Sequence, residues 1–497
     1  MRILIKHVVL FAGYGALGVI ITLVAVYVVA QQRRPDLQAW HQPALDAEFS
    51  VDRDTGINDL DDYMDLESRL FEQLSEQIYT QTPLEQRRAY NRYYSGSLAD
   101  FRGREPDWNR TIERRHPQAR GAVLLLHGLS DSPYSLRHFS DLLYTQGFSV
   151  LSLRLPGHGT APSGLLHVSH KDWMAAVRIA MRHLRQVNED GQPLYIVGYS
   201  TGASLAVEYS ASQLLGEEVP AAAGLILLSP AIGVSPLAAF ASWQLRLASL
   251  PGLEKLGWTD ILPEYDPYKY NSFTVNAGDQ IYQLTQRITS QLDELAQGSG
   301  VRGMPRILAF QSVADATVST PAVLNALFLR LAPEGHELVA FDINRQADIK
   351  ALLNESILEV LPRLRNAPAM PVDFTLIVNA DTETSEVAEV RRLAQSDSTE
   401  TRALGLAWPL GVYSLSHVAL PIANNDRLYG AVRQPDSDMI FLGDVALRGE
   451  QGLLSVSANS LLRLRHNPFL PYVDERILNF VSTAGSQVTK TDTRDKP

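Results

Sequence analysis

The chain contains no cysteine. Disulfides, thiolate metal sites and cysteine nucleophiles are therefore excluded; the absence fits an oxidising compartment and the cytosol equally. Basic charge is also scarce, with 44 Lys and Arg against 55 Asp and Glu, a formal net charge of −11. A nucleic-acid binder presents a basic face, and no basic run with interleaved aromatics occurs, so no nucleic-acid partner is expected. Zinc-type histidine clusters are missing, as is a glycine-rich phosphate loop, so neither a metal nor an organic cofactor is expected. No internal repeat or long low-complexity tract interrupts the sequence. What is present is an ordinary globular composition, 45% hydrophobic and 20% charged over 497 residues, ample for a large core.

One long apolar run stands at the N-terminus. After Arg2 and Lys6, residues 8–30 read VVLFAGYGALGVIITLVAVYVVA without a charge. At about 1.5 Å per residue this spans a hydrocarbon core of about 30 Å, and it exceeds the about 7–15 apolar residues of a secretory signal. A single-pass transmembrane anchor is the reading, with Val28-Val29-Ala30 as a passable cleavage site beside it. The short tail, residues 1–7, favours a cytoplasmic N-terminus and a bulk on the extracytoplasmic, periplasmic side; Arg33 and Arg34 weigh the other way.

Beyond the anchor, residues 31–100 divide into a polar linker and an amphipathic helix. Tyr63, Leu66, Leu70, Leu74 and Ile78 recur at three and four, which predicts a helix from Leu60 to about Tyr94. From there short apolar runs alternate with helical segments: AVLLL (122–126), FSVLSLRL (148–155), PLYIVG (193–198), GLILLSP (224–230) and RILAFQ (306–311). Continuous apolar runs so spaced are buried parallel strands of a doubly wound α/β sheet. Chemistry belongs at their carboxyl ends, where His127, Pro156, Ser200 and Asp315 all fall. The core is thus expected in two parts, 101–232 and 304–485, the second carrying an insertion at about 333–405. Between them lies an aromatic, irregular segment, 233–303, expected to be a cap. A disordered tail is expected over 486–497.

Gly198-Tyr199-Ser200-Thr201-Gly202 fits G-x-S-x-G, a pattern that is common by chance. Its context is specific, because it follows an apolar strand and precedes the helical ASLAVEYSAS. An elbow of this kind holds the serine in a strained conformation, and its flanking positions stay small so that backbone can pass. A serine hydroxyl needs a base, and the base a third group to fix its tautomer.

Together LLLHGLSDSP, LRLPGHG, VGYSTG, AFQSVADATV and YSLSHVALP resemble the serine α/β-hydrolases, in the flavour of monoacylglycerol lipases, carboxylesterases and serine aminopeptidase-like hydrolases. The resemblance covers about 110–320 and is patchier afterwards. It implies an α/β-hydrolase fold with a helical cap, Ser200 as nucleophile, Asp315 as orienting acid and His417 as base. His466 is a second candidate base and Asp342 a rival acid, with Asp373 and Asp381 behind it. The resemblance also implies an oxyanion hole made by the Leu129 and Thr201 N–H groups, with His127 and His158 holding their loops. About a hundred residues separate Asp315 from His417, and they include ELVAFDI (337–343), a helix near 349–364 and FTLIVNA (374–380), so the sheet is either extended or its last strand reassigned.

The implied activity is cleavage of carboxylic esters, lipid- or acylglycerol-like among them, through an acyl-enzyme. A serine aminopeptidase, a thioesterase, an acyltransferase and a non-catalytic binding protein of the same fold are the alternatives. Trp243, Tyr265, Tyr268 and Phe273 are candidate substrate contacts from the cap. Lys269 and Asp266 are read as an ion pair there, with substrate contact as the alternative, and Arg463 and Arg465 as ties between the last helix (about 473–481) and the sheet, with binding of a carboxylate or phosphate as the alternative. Oligomeric state is not legible.

Overall fold

The computed structural model describes residues 2–42, 45–54, 56–83, 89–233, 241–296, 298, 300–346, 362, 370–381, 383–435, 437–443 and 457–491. The helix expected near 349–364 lies outside the described residues, apart from residue 362.

Ten strands form one sheet: β1 (Ile112–Arg114), β2 (Ala122–Leu126), β3 (Ser149–Leu153), β4 (Leu194–Tyr199), β5 (Gly224–Leu228), β8 (Arg306–Ser312), β9 (Glu337–Phe341), β10 (Asp373–Asn379), β11 (Glu386–Arg392) and β12 (Thr399–Ala407). Their spatial order is β1-β3-β2-β4-β5-β8-β9-β10-β11-β12. The seven strands from β3 to β10 are parallel, while β1 and the β11–β12 pair run antiparallel at the two edges. A separate ribbon pairs β6 (Trp258–Asp260) with β7 (Phe273–Thr274).

The central strands are buried on both faces, which explains why they read as continuous apolar runs. Alternate side chains feed two cores. Leu124, Leu126, Ile196, Leu225 and Ile307 face one, shared with helices His170–Val187, Thr201–Leu214 and Val275–Leu295. Val123, Leu125, Val197, Ile226 and Phe310 face the other, shared with helix Arg137–Thr145 and the C-terminal helix Leu470–Thr491. Each Leu or Val so buried contributes about 1.5–3 kcal/mol.

Several expectations need correction. The amphipathic helix is shorter than its periodicity suggested: Leu60–Leu74, then a π-turn over Ser75–Tyr79. Residues 31–60 are no free linker, because Trp40, Leu45 and Phe49 are buried and Glu48, with Glu67, pairs to the buried Arg154 that follows β3. A few large side chains and one ion cluster suffice to pin a segment that lacks any hydrophobic period. The irregular segment 233–303 contains the 21-residue helix Val275–Leu295 packed on the sheet's helical layer. Residues 486–491, expected in a tail, continue the C-terminal helix, and 492–497 lie outside the described residues.

The N-terminal helix runs Arg2–Gln32, and Ile5–Gln32 is long and apolar enough to cross a membrane, with none of it buried against the rest of the chain. A signal sequence meets the same criterion. The exit of this helix is tied to the segment after β5. Arg34 donates to the carbonyls of Trp258 (2.6 Å) and Thr259, and Lys255 donates to the Arg34 carbonyl (2.9 Å) and to Asp36 (2.7 Å).

Candidate active site

Register brings the strand ends together. Leu126 sits opposite Gly198, Tyr199 opposite Leu228, and Leu228 opposite Phe310. The loops after β2, β4, β5 and β8 therefore emerge side by side at one edge of the sheet. Ser200 stands directly after β4 with φ +53° and ψ −112°, a conformation that L-residues adopt only under strain. Its N–H donates to the Leu228 carbonyl (2.9 Å), which fixes the elbow to β5.

The flanking glycines have a steric reason. A Cβ on Gly202 would stand 2.0 Å from the Leu126 carbonyl oxygen, and one on Gly198 would stand 2.5 Å from the Ala203 backbone. Gly202→Ala is accordingly expected to destabilise the fold by about 4 kcal/mol or more. Gly278→Ala, at a helical position whose nearest neighbour is 3.8 Å away, is the control. Urea or thermal melts of the two variants check this; equal melts would refute the elbow geometry.

Asp315 lies three residues past β8, two strands from β4, so the strands that carry it and the serine stand about 10 Å apart. His417 fills that gap. Its Nδ1 is 2.7 Å from Asp315 Oδ2 and its Nε2 is 3.1 Å from Ser200 Oγ. All three side chains are buried or nearly so, Ser200 retaining 7% exposure. Burial alone would raise the Asp315 carboxyl. The His417 hydrogen bond and charge, with the N–H groups of Val318 (2.9 Å) and Thr317 (2.7 Å), instead hold it below the usual carboxylate range.

The loop carrying His417 is itself anchored. Ser312 Oγ at the end of β8 donates to the Leu415 carbonyl (2.6 Å), and Asn344 beyond β9 reaches Val412 and Tyr413. The hundred-residue separation is thus spanned by β9 to β12, which extend the sheet before the chain returns to β8. Asp342 at the end of β9 meets Arg345 instead (2.5 and 3.0 Å). Asp373 meets Arg391, and Asp381 caps the Glu383 N–H.

Gly128 to Asp131 form a turn closed by Asp131 N–H to the Gly128 carbonyl (3.2 Å), with Ser130 at φ +64°. The Leu129 N–H lies inside that turn, outside its hydrogen bond. Thr201 begins helix Thr201–Leu214, whose first N–H groups lack intrahelical acceptors and carry the positive end of the dipole. Below the turn, His127 is fully buried, with Nδ1 at 2.9 Å from the Gly128 carbonyl and Nε2 accepting from Leu155 N–H (3.0 Å). His158 Nδ1 meets the Pro156 carbonyl (3.0 Å).

Burial drives His158 down to about 3, and burial, then the neighbouring His158, drives His127 well below its usual value. His41 and His336 are likewise lowered by burial, to about 3 and about 4. All four are neutral when folded and regain about 6.5 when unfolded. Below about pH 6.5 the unfolded chain therefore binds more protons, and stability falls as pH falls towards the folded values. Glu264, raised by burial to about 7, acts in the opposite sense, as do Asp266 and Asp107, which burial also raises, three carboxyls against four imidazoles. Net proton uptake on unfolding at about pH 6, read by calorimetry in buffers of different ionisation enthalpy, is the expected result. Proton release would contradict the neutral buried imidazoles.

Beside these groups lies a cavity of about 400 Å³ whose wall includes Tyr199 and Val418, the chain neighbours of Ser200 and His417. Tyr265, Tyr268 and Phe273 all line it, and Tyr268 stacks on Tyr134 at 4.0 Å. Trp243 belongs to helix Ala241–Ala248, and its side chain lies outside what is described. The aromatic segment is pinned to both loops, by Tyr270 N–H to the Ser130 carbonyl (2.8 Å) and by Tyr270 Oη, which accepts from Thr160 N–H (2.7 Å).

The expected Lys269–Asp266 pair does not form. Lys269 pairs with Asp131 (2.7 Å), while Asp266 is buried under the Tyr429 hydroxyl. Arg463 and Arg465 do not tie the last helix to the sheet either; they line the cavity, and Arg476 makes that tie through Glu337. Tyr134 and Tyr429 escaped sequence reasoning because they come from segments far apart in the chain with no motif between them.

Residues 117–342 match the family described as serine aminopeptidase, S33. The chain resembles the serine α/β-hydrolases of that kind. Among curated proteins, the chain is 29% identical over 117 residues to the thermostable monoacylglycerol lipase of Bacillus sp. (strain H-257). That match spans 24% of the chain and 43% of the lipase, less than half of its length. Among solved structures, a metagenome-derived lipolytic enzyme shares 20% identity with a TM-score of 0.38, over 52% of this chain and 96% of that one. The monoacylglycerol lipase of Paleococcus ferrophilus shares 22% identity with a TM-score of 0.35, over 46% of this chain and 87% of that one.

Proposed function

We propose that the protein is a serine hydrolase that cleaves carboxylic esters through an acyl-enzyme on Ser200, held to a membrane by residues 8–30. The hydrogen-bonded line from Asp315 through His417 to Ser200 carries this reading. His417 Nε2 takes the hydroxyl proton as Ser200 Oγ attacks the ester carbonyl, while Asp315 stabilises the imidazolium through Nδ1–H. The oxyanion that forms is received by the Leu129 and Thr201 N–H groups. Collapse expels the alcohol with the proton from His417, and water activated by the same imidazole then releases the acid.

Segment 233–303 acts as the cap in this scheme, its tyrosines walling the cavity. The bonds that join Arg34 and Lys255 hold that cap against the exit of the N-terminal helix, which supports a lipid-like ester drawn from a bilayer. The two acidic cap residues that an aminopeptidase reading would use, Glu264 and Asp266, do not favour it. Glu264 already accepts from the N–H groups of Asn271 (3.0 Å) and Ser272 (2.8 Å), and Asp266 is buried under Tyr429, so neither is available to an α-amine.

Labelling with a fluorophosphonate tests the reading. Folded wild-type protein should take one label and hydrolyse p-nitrophenyl esters with a chain-length preference. Folded protein that takes none would leave the non-catalytic alternative standing.

A further inference from the structure

The cavity beside Ser200 is not a plain apolar pocket. Three cations contribute to its wall, Lys269, Arg463 and Arg465, in a chain whose formal net charge is −11. The carboxylates around them are unequally placed. Asp131 is held by Lys269 at 2.7 Å, so that pair is internally balanced. Asp260, on β6, is exposed. Asp266 sits behind Arg465, but both its oxygens accept from the Tyr429 hydroxyl (2.7 Å each), Oδ1 also accepts from Tyr268 N–H (3.0 Å), and the guanidinium stands off at 3.9 Å from Oδ2. Burial raises the Asp266 carboxyl, against the lowering effect of the Arg465 charge. Tyr265 is the other hydrogen-bonding neighbour of Arg465. A guanidinium has five N–H donors, and these contacts use few of them.

Arg463 is less satisfied still. Among the described residues it forms no ion pair, and its one hydrogen bond goes to Thr317 Oγ1 (3.3 Å), two residues from Asp315. Two arginines thus face a cavity with more donors than the surrounding protein accepts. The Arg465 guanidinium, its side chain 13% exposed, sits in a partly water-excluded wall where an anion that accepts from it in pairs is stabilising, while Arg463 beside it is exposed. The Asn271 side-chain Nδ2, buried without a partner among the described residues, adds a neutral donor to the same wall, whereas the Tyr134 and Ser135 hydroxyls already donate to Asp426 (3.0 Å) and to the Ser132 carbonyl (3.2 Å).

We propose that this cavity binds an anionic group of the substrate, so that the preferred ester carries a phosphate or a carboxylate that Arg463 and Arg465 receive. This deepens the proposed function and rests on it for the ester, though not for the anion. Tyr199 and Val418, the chain neighbours of Ser200 and His417, line the same cavity as the two arginines. The anion belongs to the acyl or to the alcohol half, and both are compared below.

The experiment uses the full chain in neutral detergent at low ionic strength. On the acyl side, the p-nitrophenyl monoester of adipic acid is compared with p-nitrophenyl hexanoate. On the alcohol side, 1-hexanoylglycerol 3-phosphate is compared with 1-hexanoylglycerol. The anionic member of one pair should be preferred in kcat/KM by about tenfold or more, the range of a charge-assisted hydrogen bond, and added salt should shrink the preference. Arg465→Gln and Arg463→Gln should each lower that anionic-to-neutral ratio, and Arg465→Lys should restore part of it. No preference in either pair, or a ratio that both variants leave intact, overturns the proposal.

Failure of the ester reading is told apart by a binding arm. If wild type hydrolyses none of the four, hexyl phosphate and hexyl glucoside are titrated calorimetrically into wild type and the double Arg→Gln variant. Tighter binding of the phosphate that the double variant loses upholds the anion subsite without the enzyme. Equal affinities sink it.

Discussion

Ser200→Ala should leave a folded protein that takes no fluorophosphonate label and whose kcat falls by about 10⁶-fold, the scale seen when a triad nucleophile is removed. The substitution deletes one oxygen from a 7% exposed side chain and leaves the N–H bond to the Leu228 carbonyl in place. Alanine relieves none of the backbone strain at φ +53° and adds none, so the thermal midpoint should stay close to wild type. That separation of activity from stability is what a nucleophile predicts and a turn residue does not. Hydrolysis persisting in Ser200→Ala would transfer the role elsewhere, however well the elbow is formed.

Asp315→Asn is the second large effect, expected to lower kcat by about 10⁴-fold with the fold retained. Asp315 Oδ2 accepts from His417 Nδ1–H at 2.7 Å, which leaves Nε2 as the lone pair that meets Ser200 Oγ. An asparagine amide in that place can donate to Nδ1 and select the wrong tautomer. Because the Asp315 carboxyl is held below the usual carboxylate range, it stays ionised at any pH at which the protein is assayed near neutrality. An acid limb in the activity of wild type therefore does not report on Asp315. Asp342→Asn is the matched control: it breaks the bond to Arg345 on the neighbouring strand end, and no comparable loss of kcat should follow. Equal losses from both variants would show that the edge of the sheet, rather than a specific acid, was damaged.

Much of this site was legible in the chain because its parts are local. The elbow is a strand, two glycines and a helix in immediate succession, so the steric demand at Gly198 and Gly202 is written beside Ser200. The same holds for Asp315, a few residues past a seven-residue apolar run, and for the HG and PGHG loops with their buried histidines. Periodicity failed where tertiary contacts override it. The segment before residue 60 has no hydrophobic repeat, yet Trp40, Phe49 and the Glu48–Arg154 pair bind it to the core. The 21-residue helix after β7 was masked by the aromatic stretch that precedes it.

What the sequence by itself determined was the parallel sheet, the strand–Ser200–helix elbow and the apolar N-terminal helix, because each arises from contacts between near neighbours or from a period along the chain. What only the tertiary structure decided was the partner set. His417 meets Asp315 across 102 residues because β9 to β12 widen the sheet and Ser312 and Asn344 draw the returning loop back to β8. Lys269 chooses Asp131 over its near neighbour Asp266, and Arg463 and Arg465 turn to the cavity rather than to the last helix. Ion pairs and side-chain hydrogen bonds are settled by distances of a few ångströms between remote segments, and such distances leave no period in a sequence to read.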